Sequence, residues 1–186
     1  MEKNKEKKIS KALSYWLRHN PDDIEISLDI NGWTNVDELI EKSNIEFDLD
    51  DLKHVVENSN KQRFSLNKRH VLKGDDKYFI RANQGHSVEG VELELEEAVP
   101  PQILFHGAPV GVIDTIIKEG LKKMNRHHVH LSPDEATAAN VGSRRGAFEI
   151  LEVEAMRMRA DGLKIYISDN GVYLTDNVPA EYIRRR

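Results

Sequence analysis

The sequence of 186 residues contains no cysteine. Without cysteine the chain cannot form disulfides, bind a metal through thiolates or use a thiolate nucleophile, and this composition suits a reducing compartment. No apolar run approaches the roughly 20 residues that a membrane-spanning helix needs. The N-terminus carries charges of both signs and is not followed by the apolar segment of a signal peptide. We therefore expect a soluble cytoplasmic protein without a membrane anchor.

Several motifs of well-known enzyme classes are also absent. The sequence has no Gly-x-Gly-x-x-Gly, no Walker lysine motif, no Gly-x-Ser-x-Gly and no pair of carboxylates at an obvious catalytic spacing. A dinucleotide, if one binds, is therefore not held in a Rossmann crevice. Dispersed arginines and a histidine without a carboxylate base instead fit phosphoryl-group handling by positioning and charge neutralisation.

Excess positive charge is lacking as well. The chain has 27 Lys and Arg residues against 32 Asp and Glu residues, which gives a formal net charge of −5. Global charge therefore does not indicate a nucleic-acid partner, and any phosphate-binding surface must be local. The acidic residues cluster at 46–51 and 89–97. A chain of this length can bury one core or two small ones, and two lobes fit its pattern better.

The first half of the sequence reads as helices followed by a hairpin. Ile9, Leu13, Trp16 and Leu17 lie on one apolar helical stripe, and Asn20-Pro21 ends that helix. This order of elements predicts a winged-helix-like lobe over residues 1–90. The elements expected are helices at 9–19, 36–40 (capped by Thr34 or Asn35) and 49–56, and strands at 25–30, 63–66 and 78–81, the last two separated by a turn at 73–76.

The second half changes pattern after an acidic linker at 88–97, and it predicts a mixed, strand-rich α+β lobe over residues 100–186. Its second helix is expected to begin with a capping box at Ser132-Pro133-Asp134-Glu135 and to stop at Gly142. The tail Arg184–Arg186 is interpreted as solvated. The other elements expected are a helix at 112–118 with Gly120 after its end, and strands at 102–105, 128–131, 148–153, 163–167 and 171–174.

Candidate site residues in the first half lie at the ends of elements. Arg18 and His19 end the first helix, where two cations could equally serve only to offset the helix macrodipole. Arg81 follows a strand and precedes a loop with a glycine. Hydrogen-bonding groups around a glycine suit a phosphate or a sugar, although an ordinary polar turn has the same composition. The loop residues concerned are Asn83, Gln84, His86 and Ser87.

Candidate site residues in the second half are histidines and arginines beside glycines. His106 and Gly107 are expected directly after a buried strand, where the glycine would let a flat ligand approach and the imidazole could bond a ribose hydroxyl. His128 and His130 share a strand face without a third metal ligand, so we favour over zinc the interpretation that one of them is a packed, hydrogen-bonded strand histidine. The pair at 144–145 offers one arginine that could fork onto a phosphate. We expect the fold to bring four side chains together around one phosphate: Arg18, His19, Arg81 and Arg144.

Six segments carry a family resemblance: Leu-Ser-Tyr-Trp-Leu-Arg-His, Asn-Gly-Trp-Thr-Asn-Val-Asp-Glu-Leu, Phe-Ile-Arg-Ala-Asn-Gln-Gly-His-Ser, Leu-Phe-His-Gly-Ala, His-Val-His-Leu-Ser and Val-Gly-Ser-Arg-Arg-Gly. From Ile9 to about Val178, their order and spacing resemble those of the RNA 2′-phosphotransferase family, also called tRNA 2′-phosphotransferases. The resemblance implies an N-terminal winged-helix-like lobe that binds RNA. It also implies a C-terminal lobe of the ADP-ribosyltransferase fold that binds NAD as a consumed co-substrate, and no metal.

The reaction implied by the resemblance has two steps. An internal RNA 2′-phosphate, as in a tRNA-like substrate, attacks the nicotinamide-bearing ribose carbon of NAD and expels nicotinamide. The neighbouring ribose 2″-hydroxyl then attacks the phosphorus. The products are RNA with a free 2′-hydroxyl and ADP-ribose 1″,2″-cyclic phosphate, and a monomer is expected to make them.

The resemblance also implies roles for individual residues. The family's Arg-His-Arg-Arg tetrad falls on Arg18, His19, Arg81 and Arg144, with Arg144 preferred to Arg145 for its distance from Gly142. The NAD-binding residues implied are His106, Gly107, which is followed by Ala108 in place of the usual threonine, and Ser132. The contacts to the RNA or its phosphate are expected from Asn83, Gln84, His86, Ser87 and Arg145.

Two other functions stay open at this point. One is an ADP-ribosyltransferase of the same fold that stops after the first step and modifies phosphorylated nucleic-acid ends or a protein. The other is a non-catalytic winged-helix protein that binds RNA or DNA. The latter would need a basic recognition helix, whereas the segment from Asp48 to Val56 carries more acidic than basic residues.

Overall fold

The computed structural model describes residues 1–59, 62–71 and 75–186, leaving out the side chain of Arg145. The chain divides into two units, Met1–Glu94 and Leu95–Arg186. Over the described ranges it forms six α-helices and several small antiparallel sheets, which confirms the predicted α+β class. The winged-helix-like and ADP-ribosyltransferase-like identities of the lobes stay predictions. No helix among these residues is both long and apolar enough to cross a membrane.

The first unit is built on the amphipathic helix that the sequence predicts. Helix α1 (Lys3–Arg18) buries the whole predicted stripe of Ile9, Leu13, Trp16 and Leu17. These side chains form one core with residues of the later helices and strands. The other elements of the unit are β1 (Thr34–Asn35), α2 (Val36–Lys42), α3 (Leu49–Glu57), β2 (Phe64–His70) and β3 (Asp76–Ala82).

Side-chain caps begin the second and third helices. The Asn35 side chain accepts hydrogen bonds from the backbone amides of Asp37 and Glu38, so the expected cap of α2 is confirmed. In α3, Asp48 and Asp51 form a reciprocal capping box. Each cap satisfies amides that a helix leaves without an internal partner, and the two caps fix where these helices start.

The sheet of the first unit presents Arg81 on the face opposite to the core. Strand β3 lies between β1 and β2 and pairs antiparallel with both, so the two predicted strands are confirmed at greater length. Because side chains alternate along a strand, Ile80 and Ala82 enter the core, where both are fully buried. Part of the predicted turn at 73–76, residues 73 and 74, lies outside the described residues.

The predicted strand at 25–30 is wrong. Pro21–Ile24 form a short 3-10 turn, and Glu25 adopts a left-handed φ of 55° that interrupts an extended chain. Ile26 is buried but Ile30 is 60% exposed, so the alternating apolar residues do not form one buried face. The Asp29 carboxylate instead accepts the backbone amides at 31 and 33 in a local turn.

The predicted linker at 88–97 is partly structured. Val91 is buried and the Glu92 amide donates to the carbonyl of Ile30. Glu96–Glu97 form strand β4, which pairs with a later strand at 166–167. An acidic composition therefore did not exclude backbone pairing, because the exposed carboxylates of β4 stay in solvent while its backbone bonds to its neighbour.

The second unit contains three antiparallel sheets. Its remaining elements are β5 (Leu104–Pro109), α4 (Ile113–Glu119), β6 (Leu121–Lys122), β7 (Val129–Leu131), α5 (Glu135–Gly142), β8 (Phe148–Val153), α6 (Ala155–Ala160), β9 (Tyr166–Ile167), β10 (Tyr173–Thr175), β11 (Asn177–Val178) and β12 (Ile183–Arg185). The sheet orders are β4-β9-β10-β7, β11-β6 and β12-β8-β5. A further antiparallel bridge joins Phe105 to Ser132. The predicted strand at 148–153 and the end of α4 at Gly120 (φ 88°) are confirmed.

The predicted cap of α5 is wrong, because the helix begins later. Asp134, not Ser132, is the N-cap, and its carboxylate accepts both the amide and the hydroxyl of Thr137. Ser132 is instead held by two backbone hydrogen bonds of 2.8 Å with Phe105. Aspartate and serine are comparable as N-caps. The backbone pairing of Ser132 with Phe105 leaves Asp134 to cap the helix.

The C-terminal arginines are exposed, as predicted for a solvated tail, but they also form ion pairs. Arg185 lies in β12 and donates to both Glu149 carboxylate oxygens at 3.1 Å, and this contact holds the pKa of Glu149 below its usual value. Arg184 pairs with Glu154, and Arg186 pairs with Glu135. These acidic partners are distant in sequence, so local composition did not reveal them.

Gly107 is required by packing between β5 and α5. A Cβ at this position would lie 2.3 Å from the carbonyl oxygen of Ala138 and 3.1 Å from Gly142 Cα. His106 and Gly107 lie inside β5, opposite Leu151 and Ile150, so their predicted place after the strand is wrong. The helix backbone occupies the space that the glycine leaves.

Gly107→Ala is expected to lower the free energy of unfolding by about 1–3 kcal/mol, because strand and helix must separate to admit the methyl group. Chemical denaturation of the whole chain measures this. Gly111→Ala is the matched control, since a Cβ there meets nothing within 4 Å, and its effect should stay within about 0.5 kcal/mol. Equal stabilities of the two variants would contradict the packing role.

Candidate functional site

The C-terminal end of α1 is held by the segment that follows β3. The backbone amides of Ser87 and Val88 donate to the Arg18 carbonyl at 2.8 and 3.3 Å. This carbonyl belongs to the last turn of the helix, where no internal donor is available. The Ser87 hydroxyl also lies 2.8 Å from His19 Nδ1. Two motifs 68 residues apart in sequence thus meet, and they bring Arg18, His19 and Ser87 together.

Arg81 is oriented by an aromatic ring that the sequence prediction did not include. Its guanidinium carbon lies 4.8 Å from the centre of the Trp33 ring, a distance typical of a cation–π contact. Since Thr34 pairs with Ile80, the preceding Trp33 comes beside Arg81 in register. The only sequence signal was its place after the Asn31-Gly32 turn, inside a segment of the family resemblance.

Two of the predicted loop residues are buried and support the loop. Asn83 accepts from the Ser65 hydroxyl and donates to the Gln62 carbonyl, both at 2.6 Å. The His86 ring is 1% exposed and packs under Gly32, where a Cβ would come within 3.1 Å of Nε2. Both residues therefore have a structural role, and their predicted contacts with the substrate stay predictions.

Gln84 differs from these two neighbours in its hydrogen bonding. Its Oε1 is buried and has no hydrogen-bond partner among the residues that the structure describes. A buried acceptor without a partner is costly. Gln84 thus offers an acceptor for a hydroxyl or amide of a bound molecule.

His106 has the protonation state that a contact to a sugar hydroxyl needs. Its Nδ1 lies 3.0 Å from the His130 carbonyl oxygen, so Nδ1 carries the proton and donates. Burial lowers the pKa of the His106 imidazole, which keeps the ring neutral at neutral pH. In this tautomer Nε2 is an acceptor for a hydrogen bond.

Ser132 lies next to β5 through its bridge to Phe105. Its hydroxyl has no hydrogen bond to any described residue, and the cap of α5 no longer accounts for it. The same bridge fixes its backbone beside the strand that carries His106. His106 and Ser132 are therefore both compatible with an NAD contact, which stays a prediction for each.

The histidines at 128 and 130 give no sign of a metal site. Within the described part of the chain, no group of three or more His, Asp or Glu side chains could hold a metal ion. The His128 ring packs at 67° to Tyr166 with 6.1 Å between ring centres, and burial lowers its pKa. His128 therefore has a packing role, as the sequence favoured.

Arg144 lies in the one-turn 3-10 helix Ser143–Arg145 that continues α5. Its side chain is exposed, and Gly146, with φ 98°, ends the turn. The side chain of Arg145 is outside the described atoms, so the preference for Arg144 stays a prediction. Arg144 belongs to the second unit, whereas the other three residues of the predicted tetrad belong to the first.

Comparison with known proteins identifies the family. Residues 4–177 match the model of the RNA 2′-phosphotransferase, Tpt1/KptA family. A probable RNA 2′-phosphotransferase of Flavobacterium johnsoniae is 50% identical over 186 residues, covering 98% of both chains. One from Fusobacterium nucleatum is 46% identical over 181 residues, covering 95% of this chain and 97% of the relative. This chain therefore belongs to the RNA 2′-phosphotransferase (Tpt1/KptA) family of enzymes, which is known to be NAD-dependent.

Proposed function

We propose that this RNA 2′-phosphotransferase binds the 2′-phosphate of its RNA substrate with Arg18 and Arg81, and that His19 and Arg144 act on the same group. The observation that carries the proposal is the contact of Ser87 with both Arg18 and His19. It ties the end of α1 to the segment that begins at Arg81. Guanidinium groups suit this task because they bind phosphate oxygens in pairs and stay charged.

In the first step the arginines orient the 2′-phosphate for attack on the nicotinamide-bearing ribose carbon. The bond from that carbon to nicotinamide breaks as the bond to the phosphate oxygen forms. His106 Nε2 accepts a hydrogen bond from a ribose hydroxyl, and the Ser132 hydroxyl donates to NAD. The residues of the chain contribute position and charge, and the RNA is left with an ADP-ribosylated 2′-phosphate.

In the second step His19 takes the proton of the ribose 2″-hydroxyl as it attacks phosphorus. When Nδ1–H donates to Ser87 Oγ, Nε2 carries the lone pair that accepts this proton. Arg144 stabilises the added negative charge of the pentavalent transition state. The bond from phosphorus to the RNA 2′-oxygen breaks, and this oxygen takes a proton from solvent, so the RNA leaves with a 2′-hydroxyl. The phosphate leaves as ADP-ribose 1″,2″-cyclic phosphate.

The test is incubation of the full chain with NAD and an RNA that bears a single internal 2′-phosphate. We expect loss of the phosphate together with nicotinamide and the cyclic product. Accumulation of ADP-ribosylated RNA alone would favour an ADP-ribosyltransferase that stops after the first step. Absence of nicotinamide release would favour a binding protein. That the reaction needs no metal, and that a cytoplasmic monomer carries it out on tRNA-like RNA, also stay predictions.

Ser87→Ala is expected to reduce kcat by about tenfold, because the His19 ring loses the contact that sets its orientation. The KM for NAD should stay unchanged, and the pH profile of kcat should shift. Ser87→Thr keeps the hydroxyl and should restore most of the rate. A Ser87→Ala enzyme with the wild-type kcat and pH profile would exclude the positioning role.

A further inference from the structure

Helix α1 carries a basic stripe on a face separate from its buried stripe. Residues that recur every three or four positions share one face of a helix. Lys3, Lys7, Lys11, Ser14 and Arg18 follow this spacing, and they end at the residue to which we assign the RNA phosphate. The lysines therefore line a path along the helix toward Arg18.

The stripe forms one wall of a groove of about 550 Å³. Strand β2 is preceded by Arg63, which contributes a further cation to the lining. The groove is lined by Lys3, Glu6, Lys7, Ser10, Lys11, Ser14 and Arg63. With four cations, one carboxylate and two hydroxyls, its chemistry suits a chain of phosphates.

The lysines of the groove are not used to stabilise the first unit. Within the described part of the chain, Lys3, Lys7 and Lys11 form no ion pair, whereas Lys5 pairs with Asp51 on α3. Lys5 lies on another side of α1, where packing against α3 occurs. The positive charge of these three lysines is therefore available to an anionic partner.

Helix α3 offers the opposite charge. It begins with Asp48, Asp50 and Asp51 in its cap and first turn, so a phosphate backbone would be repelled there. The difference in charge between the two helices favours α1 over α3 as the surface that would contact a nucleic acid. By helix geometry, Lys3 and Lys11 are about 12 Å apart along the axis, and Arg18 lies about 10 Å further.

We infer that the groove along α1 binds the RNA strand next to the 2′-phosphate, with Lys7 and Lys11 contacting its backbone phosphates. This inference rests on the proposed function, because it takes Arg18 as the residue that receives the 2′-phosphate. It adds a binding surface for the flanking nucleotides. The contacts are electrostatic, so they carry affinity and salt dependence but no sequence preference.

The experiment compares two substrates, a dinucleotide and an RNA of about ten nucleotides, a length in the range of single-strand binding sites. Both carry one internal 2′-phosphate. In the Lys7→Gln/Lys11→Gln double variant we expect KM for the longer RNA to rise about fivefold. The increase of KM for the dinucleotide should be smaller. The slope of log(kcat/KM) against log[salt] should become shallower by about 1.4, since each lost contact to a single strand removes about 0.7.

The matched control is Lys8→Glu, which changes the net charge by the same amount on the neighbouring residue. Lys8 is exposed on α1 but does not line the groove, so the control should behave as the wild type. Equal effects of the two variants, or no change of KM and salt slope in the double variant, would overturn the inference.

Failure of the proposed function would be seen separately. If the wild-type chain released no nicotinamide from either substrate, the proposed reaction would be wrong. Fluorescence anisotropy with the longer RNA needs no turnover and would still decide the role of the groove. Weaker RNA binding by the double variant than by Lys8→Glu supports it, and equal binding excludes it.

Discussion

Arg81→Lys is expected to lower kcat/KM for 2′-phosphorylated RNA by about two orders of magnitude, the size of effect seen when a preorganised charge donor is lost. Lysine keeps the positive charge but cannot bind two phosphate oxygens through a planar fork. Arg81 lies on the face of β3 opposite to the core, and its guanidinium carbon lies 4.8 Å from the centre of the Trp33 ring. Steady-state kinetics with RNA varied at saturating NAD measures the effect.

Arg69→Lys is the matched control for this experiment. Arg69 contacts the same Trp33 ring at the same distance of 4.8 Å, but it lies further along the hairpin on β2. Its loss should change kcat/KM less than threefold, about 0.6 kcal/mol. A similar decrease in both variants would mean that the aromatic contact, and not the phosphate, explains the role of Arg81.

Arg144→Ala is expected to convert the enzyme into one that accumulates ADP-ribosylated RNA. The second step builds negative charge on the pentavalent phosphorus, and loss of a guanidinium should slow it by about 10²–10³-fold. The first step and the affinity for NAD should change much less. Single-turnover reactions with labelled RNA resolve the intermediate from the final product and give the ratio of the two rates.

Arg145→Ala tests the choice between adjacent arginines in the same experiment. Both residues lie in the one-turn helix before Gly146, so the two variants change neighbouring positions of one segment. If Arg145→Ala accumulates the intermediate and Arg144→Ala does not, the assignment moves by one residue. A large loss of NAD affinity with an unchanged ratio of steps in Arg144→Ala would contradict the role in the second step.

Sequence periodicity predicted the elements whose burial is set by their own residues. The stripe of α1 repeats at helical spacing, and strand β8 has the predicted bounds, with its two buried residues, Leu151 and Val153, alternating along one face. The Asn35 cap was also predictable, since a cap depends on residues two or three positions away. These are local properties, so the sequence contains them directly.

Several of the incorrect predictions depend on partners that are distant in sequence, whereas the strand at 25–30 was lost to a local turn. Ser132 looked like a cap until its backbone was found paired with Phe105. The ion pair of Arg185 was not predicted because its partner Glu149 lies 36 residues earlier. The close packing of Gly107 against the carbonyl of Ala138 was not predicted either, and its contact with NAD stays a prediction. Pairing and packing of this kind follow from tertiary structure and not from local pattern.

The candidate site shows the same division. The family resemblance supplied Arg18, His19 and Arg81, and the structure adds what orients two of them. Trp33 orients Arg81, and Ser87 contacts His19. The side chains that carry chemistry are visible in short motifs, whereas those that support them are recognisable only when the chain is folded.

The charged strand β12 has a consequence for self-association. In the order β12-β8-β5 it is an outermost strand, and such strands expose unpaired backbone groups that can recruit a second molecule. Arg184 and Arg185 remain 68% and 51% exposed beside their ion pairs. Charged side chains on an edge strand disfavour the docking of a second strand, so this end of the sheet resists edge-to-edge aggregation.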